Sequence, residues 1–225
     1  MDGAASSACQ GVYTVYYHEG FSGRAQPLEM MLVAKKAPWK RAPWLTLNDS
    51  TCFAAPAVAH DQTGKVISQT TAAAQYLGTA LGLAPPTGLR AEAMKVALDI
   101  ADIWAEAYKV RKEADSWAAA EAYAKGRLLK WLNVLEACAT KYGDGSHMIG
   151  SSPTFVDFLL SNLLLVCQFM FGSDRMQPLL AQVPKVAVSF AAVMGMPGVE
   201  SCVQAIPVLY PAVEAGGKMP FQRKG

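Results

Sequence analysis

The hydrophobic pattern of the chain changes period once, near residue 84. Before that point, short β-branched and aromatic runs alternate with turn residues; after it, every long segment repeats at helical spacing. Tyr13–Tyr17 (YTVYY) predicts a first strand. Beyond the loop from His18 to Gly23, RAQPLEMMLVAKK predicts a helix with Pro27 in its first turn, where a missing N–H does little harm. Residues 39–47 predict a second strand, made ragged and edge-like by Pro38 and Pro43. Ala57-Val58-Ala59 and Lys65-Val66-Ile67-Ser68 flank Asp61-Gln62-Thr63-Gly64, the pattern of a hairpin whose turn has a glycine for positive φ. An Ala-rich segment anchored by Tyr76 and Leu77 follows, with Thr70 placed to cap it.

Ala84-Pro85-Pro86-Thr87-Gly88 reads as a linker. In residues 91–114, Lys95, Asp99, Asp102, Glu106, Lys109 and Glu113 form one stripe, and Met94, Leu98, Ala101, Ala105 and Tyr108 another. The apolar positions there exceed what a surface helix needs, which predicts a covered face. Residues 121–142 predict a second long helix, 145–152 a loop, and 185–194 and 198–205 two shorter helices. The apolar run within 154–171 is interrupted by Asp157, Ser161, Asn162 and Gln168. It is too short and too polar to span a bilayer, so it predicts a buried helix. Thr154-Phe155-Val156-Asp157 supplies its capping box. The expected organisation is a strand-bearing domain over residues 1–83, an all-helical domain over 90–210 and a tail over 211–225.

Composition narrows the partners. Of 225 residues, 52% are hydrophobic and 17% charged, with a net charge of +2. That balance describes a globular chain and excludes a polybasic surface for nucleic acid or membrane. Cys9, Cys52, Cys138, Cys167 and Cys202 are odd in number and form no C-x-x-C pair. The spacing argues against a disulfide framework or a zinc site and for a reducing compartment. MDGAASSACQG has neither a charged n-region nor an apolar h-region, so no secretory signal is expected and a cytoplasmic location is.

The stretch FAAPAVAHDQTGKVISQTTAAAQYL resembles the glutathione-binding half of a glutathione transferase. That family has a proline-led strand, a turn, a second strand and Gln-Ser opening a helix at this point. GRAQP, the TFVD helix entry and PKV…FAAVMGMPGVESCV also resemble family segments, so the likeness covers about residues 12–207 and looks most similar to the sigma-like and alpha/mu-like tyrosine classes. It implies a thioredoxin-like α/β N-terminal domain without redox thiols, an all-α C-terminal domain, a homodimer, glutathione as co-substrate and no metal.

The family lowers the pKa of the bound thiol, because thiolate is the nucleophile and free thiols near 8.5 are mostly protonated at neutral pH. A hydroxyl that donates to the sulfur favours the charged form. By position the resemblance assigns this to Tyr17, with one extra residue before Arg24; Ser22 is the rival, since serine classes place their hydroxyl in this loop. Arg24 is implied as the brace of that loop. Pro56 stands for the family's cis-proline, Ala55 for the residue that offers its backbone to the cysteinyl part of glutathione, and Gln69 and Thr70 for Gln-Ser. Trp44 takes the glycyl end, with Lys40 and Arg41 as further candidates, and Asp99 reaches the γ-glutamyl amine across a dimer interface. Tyr16, His18, Trp104 and Tyr108 are the expected walls of the electrophile pocket. Ala54 departs from the family's frequent glutamine, which implies weaker glutathione binding. The resemblance therefore implies conjugation or isomerisation of a hydrophobic electrophile. The alternative is a catalytically weak or inactive relative that serves as a structural or hydrophobic-ligand-binding protein.

Overall fold

The computed structural model describes residues 11–113 and 117–205; Cys9 and the expected tail over 211–225 lie outside the described residues. Four strands, β1 (Tyr13–Tyr17), β2 (Trp39–Pro43), β3 (Ala57–His60) and β4 (Val66–Ser68), form one sheet in the order β2-β1-β3-β4. β2 runs parallel to β1, which requires a crossover, and α1 (Gln26–Ala34) supplies it. β3 and β4 return antiparallel as a hairpin, followed by α2 (Thr70–Ala80). This is the thioredoxin-like arrangement.

The second strand is shorter than its pattern predicts. Pro43 has no N–H to extend the ladder, and the chain turns into a single 3-10 turn at Trp44–Thr46. Among the described residues no strand occurs after Ser68. Helices α3 (Arg90–Glu113), α4 (Trp117–Tyr123), α5 (Leu129–Tyr142), α6 (Phe155–Phe171), α7 (Ser173–Leu180), α8 (Pro184–Met194) and α9 (Val199–Ala205) complete the fold. The expected long helix over 121–142 is divided, because Ala124–Leu128 adopts π-helical bonding around Gly126. Helix α7, absent from the sequence reading, carries Pro178 and a polar sequence that hides its period.

Helix α6 is the hub and touches α1, α2, α3, α7 and α8. All its residues except Gln168 and Phe169 are buried. Each fully buried Leu, Val or Phe there contributes about 1.5–3 kcal/mol. Its entry is fixed by Asp157: Oδ2 accepts the Thr154 N–H and hydroxyl, and Oδ1 accepts the Met148 N–H and the Ser189 hydroxyl. This carboxylate is wholly buried with four donors, so its desolvation is offset. The two parts of the chain meet where the Phe155 N–H donates to the Leu83 carbonyl at 2.9 Å. No described helix is long and apolar enough to cross a membrane.

Candidate active site

Alternation along β1 puts Tyr13, Val15 and Tyr17 on the helix-covered face and Thr14 and Tyr16 on the other. Tyr17 ends the strand where the loop turns back toward α1, and its ring is buried. The Tyr17 Oη accepts the backbone N–H of Arg24 at 3.1 Å. Gly23 permits this approach. It has φ +43°, and a Cβ there would lie 2.6 Å from the Tyr17 Oη. Among the described residues no acceptor takes the phenol's own proton. Burial pushes the Tyr17 phenol above its ordinary value, while the Arg24 N–H and the charges of Arg24 and Arg41 pull it back and Glu29 adds to the rise. At neutral pH the group is therefore a protonated donor with a free O–H.

Arg24 links this hydroxyl to two other elements. Its carbonyl accepts the Thr70 hydroxyl at 3.3 Å, which ties the loop to the first turn of α2. Its guanidinium lies 4.3 Å from the centre of the Trp104 ring on α3. Trp104 in turn stacks on Tyr108, with centroids 5.4 Å apart and planes at 17°. Arg24, Gln69, Thr70 and Trp104 share a cleft of about 470 Å³ between α2 and α3, walled by Met94, Leu98 and Leu159 and reaching Asn162.

The N-terminus of α2 opens on this cleft. Its first N–H groups have no helical acceptor, so they and the helix dipole can receive a carboxylate. The N-cap is Gln69, not Thr70 as the spacing suggests; Thr70 is the first helical residue and spends its hydroxyl on Arg24. Gln69 sits at φ +69°, ψ +121°, a conformation costly for a residue with a Cβ. The peptide bond from Ala55 to Pro56 is cis, with Pro56 buried and Ala54 exposed.

Other expected residues stand apart. The Ser22 hydroxyl is turned inward and donates to Glu29 Oε2 at 2.9 Å. Asp99 pairs with Lys95 at 2.5 Å, and Lys95 also reaches the Cys138 thiol on α5, so Asp99 faces α5 and not the cleft. His18 stacks on Phe21 and lines a smaller hollow of about 290 Å³ with Tyr17 and Arg41. Tyr16 lines neither space. Trp44 is half-buried in its 3-10 turn. Arg41, a candidate for the glycyl end, is bound to buried Glu29 at 2.7 Å.

Sequence reasoning passed over Glu29 and the close approach of Gly23. A carboxylate within LEMMLVA, flanked by apolar residues on every side, was the available signal for the first.

Residues 99–204 match the family model for the glutathione S-transferase C-terminal domain. No curated protein matches the chain. Among solved structures, a Pi-class glutathione S-transferase of Onchocerca volvulus is 18% identical with a TM-score of 0.69, over 86% of this chain and 92% of that one. A sigma-class enzyme of Fasciola hepatica is 15% identical with a TM-score of 0.67, over 88% and 98%. A monomeric glutathione S-transferase of Necator americanus is 17% identical with a TM-score of 0.66, over 87% and 97%. At such identities these likenesses establish the fold. Residues 99–204 thus match a glutathione S-transferase C-terminal domain, and with the thioredoxin-like sheet the chain has the fold of the glutathione transferases.

Proposed function

We propose that the chain is a cytoplasmic, homodimeric glutathione transferase of the tyrosine type. Residues 1–83 bind glutathione, and 90–210 supply most of the electrophile pocket. The observation that carries this reading is the Tyr17 hydroxyl: its oxygen is occupied by the Arg24 N–H while its proton has no acceptor among the described residues. A buried phenol so arranged donates to a thiolate placed against it and lowers the pKa of that thiol. Ser22 is the weaker candidate, because its proton is already committed to Glu29.

In this reading the γ-glutamyl carboxylate lies at the N-terminus of α2, held by Gln69 and Thr70. The cysteinyl backbone pairs with Ala55 ahead of Pro56, and Trp44 meets the glycyl end. The thiolate then attacks an apolar electrophile resting against Trp104 and Tyr108, and the Arg24 guanidinium over Trp104 steadies charge that develops on the leaving side. Tyr16 and His18 have at most a peripheral part. Asp99 reaches a partner's γ-glutamyl amine only if its pair with Lys95 opens. Dimerisation is supported by Phe53 and Leu45, which are 97% and 94% exposed, and by half-exposed Leu98 on α3. A cytoplasmic setting is supported by the free Cys52, Cys138, Cys167 and Cys202.

A second reading, a weakly catalytic ligand-binding relative, is favoured by one observation. Arg41 is consumed by Glu29, and exposed Ala54 offers no side-chain hydrogen bond, so two expected contacts to glutathione are missing. Retention on immobilised glutathione with elution by free glutathione, followed by conjugation of an aryl halide, separates the readings. Retention with turnover is expected; retention without turnover favours the second reading, and loss of both overturns the first.

A further inference from the structure

Glu29 and Arg41 form an ion pair joining the middle of α1 to the edge strand β2. Glu29 is fully buried, and burial raises its carboxyl above the usual range against the pull of Arg41 and of the bonds from Ser22 and Arg41. An ion pair this deep is weak evidence for stability, since desolvation can exceed the attraction. What it holds in place is more informative. Arg41 Nε donates to Glu29 Oε1 at 2.7 Å, and its terminal amine donates to the Phe21 carbonyl at 2.8 Å. Glu29 Oε2 takes the Ser22 hydroxyl. The guanidinium also lies 5.9 Å from the centre of the Tyr17 ring.

Two consecutive loop residues, Phe21 and Ser22, are therefore clamped by one ion pair. The next two are Gly23, which passes against the Tyr17 Oη, and Arg24, whose N–H bonds it. The Ser22 carbonyl also receives the Ala25 N–H at 2.7 Å, so the turn is bonded at both ends.

We propose that Glu29 and Arg41 are positioning residues for thiol activation: the pair fixes the Phe21–Ser22 segment, and through it sets the Arg24 N–H against the Tyr17 hydroxyl. The role needs the forked geometry of arginine, because one side chain must reach a carboxylate and a carbonyl together. This inference rests on the tyrosine reading, but its geometric half does not depend on glutathione.

Arg41→Lys in the full chain is the test, read two ways. In ligand-free protein, hydrogen exchange of the Arg24 amide should accelerate about tenfold relative to the β1 amides, because lysine lacks the rigid fork that aims two separate nitrogens at the two acceptors. With glutathione bound, the thiol midpoint should rise by about one unit, a tenfold loss of thiolate, with affinity changed less than about twofold. The exchanged pair Glu29→Arg with Arg41→Glu restores opposite charges but removes both the Nη donor that position 41 gives Phe21 and the acceptor that position 29 gives Ser22, so both readouts should remain perturbed. A folded Arg41→Lys chain with unchanged relative exchange at Arg24 overturns the proposal, as does recovery of both readouts in the exchanged pair. If Arg41→Lys fails to fold, Ser22→Ala is read in the same way: faster Arg24 exchange supports the clamp and unchanged exchange overturns it. A wild-type chain that forms no thiolate defeats the glutathione reading alone, and the Arg24 amide still decides the clamp.

Discussion

The hydroxyl oxygen of Tyr17 accepts the backbone N–H of Arg24, and Gly23 between them makes the contact possible. That relationship orders the site, because the same Arg24 carries Thr70 on its carbonyl and Trp104 under its guanidinium. Hydroxyl, helix start and apolar wall are thus connected through one residue.

Replacing Gly23 tests the contact. In Gly23→Ala the new methyl meets the Tyr17 Oη at 2.6 Å, and φ +43° strains any residue with a Cβ. The loop must move, at a cost of about 1–3 kcal/mol. Thermal unfolding should report that loss, and the thiol of bound glutathione should titrate higher than in wild type. A full-strength thiolate signal in this variant would mean that the Arg24 bond is not needed.

Gln69 separates stability from binding. Glycine adopts its φ of +69° without steric cost, so Gln69→Gly should leave unfolding stability unchanged or raise it by up to about 1 kcal/mol. Retention on immobilised glutathione should fall, since the side chain facing the cleft is gone. Stability lost together with retention would show instead that Gln69 serves the fold.

Phe53 tests the assembly. A side chain 97% exposed in the loop before Pro56 gains little from being apolar unless something covers it. Phe53→Ser should shift the mass by light scattering from dimer toward monomer at micromolar concentration, with the unfolding of the subunit little changed. A dimer that survives the substitution would place the interface elsewhere.

Glu106 provides the pH test. Its carboxyl is held below its ordinary value by the forked bonds from Arg127, with the Trp131 indole N–H and the Arg127 charge assisting and burial opposing. A depressed folded pKa means that the contribution is present above about pH 4.5, the ordinary value, and is lost as pH falls through the folded value. Denaturant unfolding of Glu106→Gln should therefore be weaker than wild type at pH 7 and converge with it as the pH falls through the folded value. A gap independent of pH would show that packing, not charge, is responsible.

Much of the fold was legible because its signals are local. YTVYY, the hairpin around Asp61–Gly64 and the change of period near residue 84 each lie within a few residues. What escaped was either interrupted or remote. Pro178 masks α7, and the π-helical step around Gly126 leaves an apolar period that reads as one helix. Thr70 looked like a cap because its hydroxyl type fits one, whereas its actual acceptor is 46 residues away on Arg24. The Glu29–Arg41 pair joins a helix to a strand across 12 residues, a pairing that no local rule specifies. Of the expected site, Arg24, Gln69, Thr70 and Trp104 meet in the cleft and Tyr17 adjoins it through the Arg24 N–H, while Asp99 and Tyr16 face elsewhere.

The most direct measurement is the thiolate absorbance of bound glutathione against pH in wild type and Tyr17→Phe. The substitution removes one oxygen and keeps the ring packed against Phe21. Affinity should change little, and the midpoint should rise by one to two units, about a 10- to 100-fold loss of turnover at neutral pH. Coincident titrations, with Ser22→Ala moving the midpoint instead, would contradict the assignment of Tyr17.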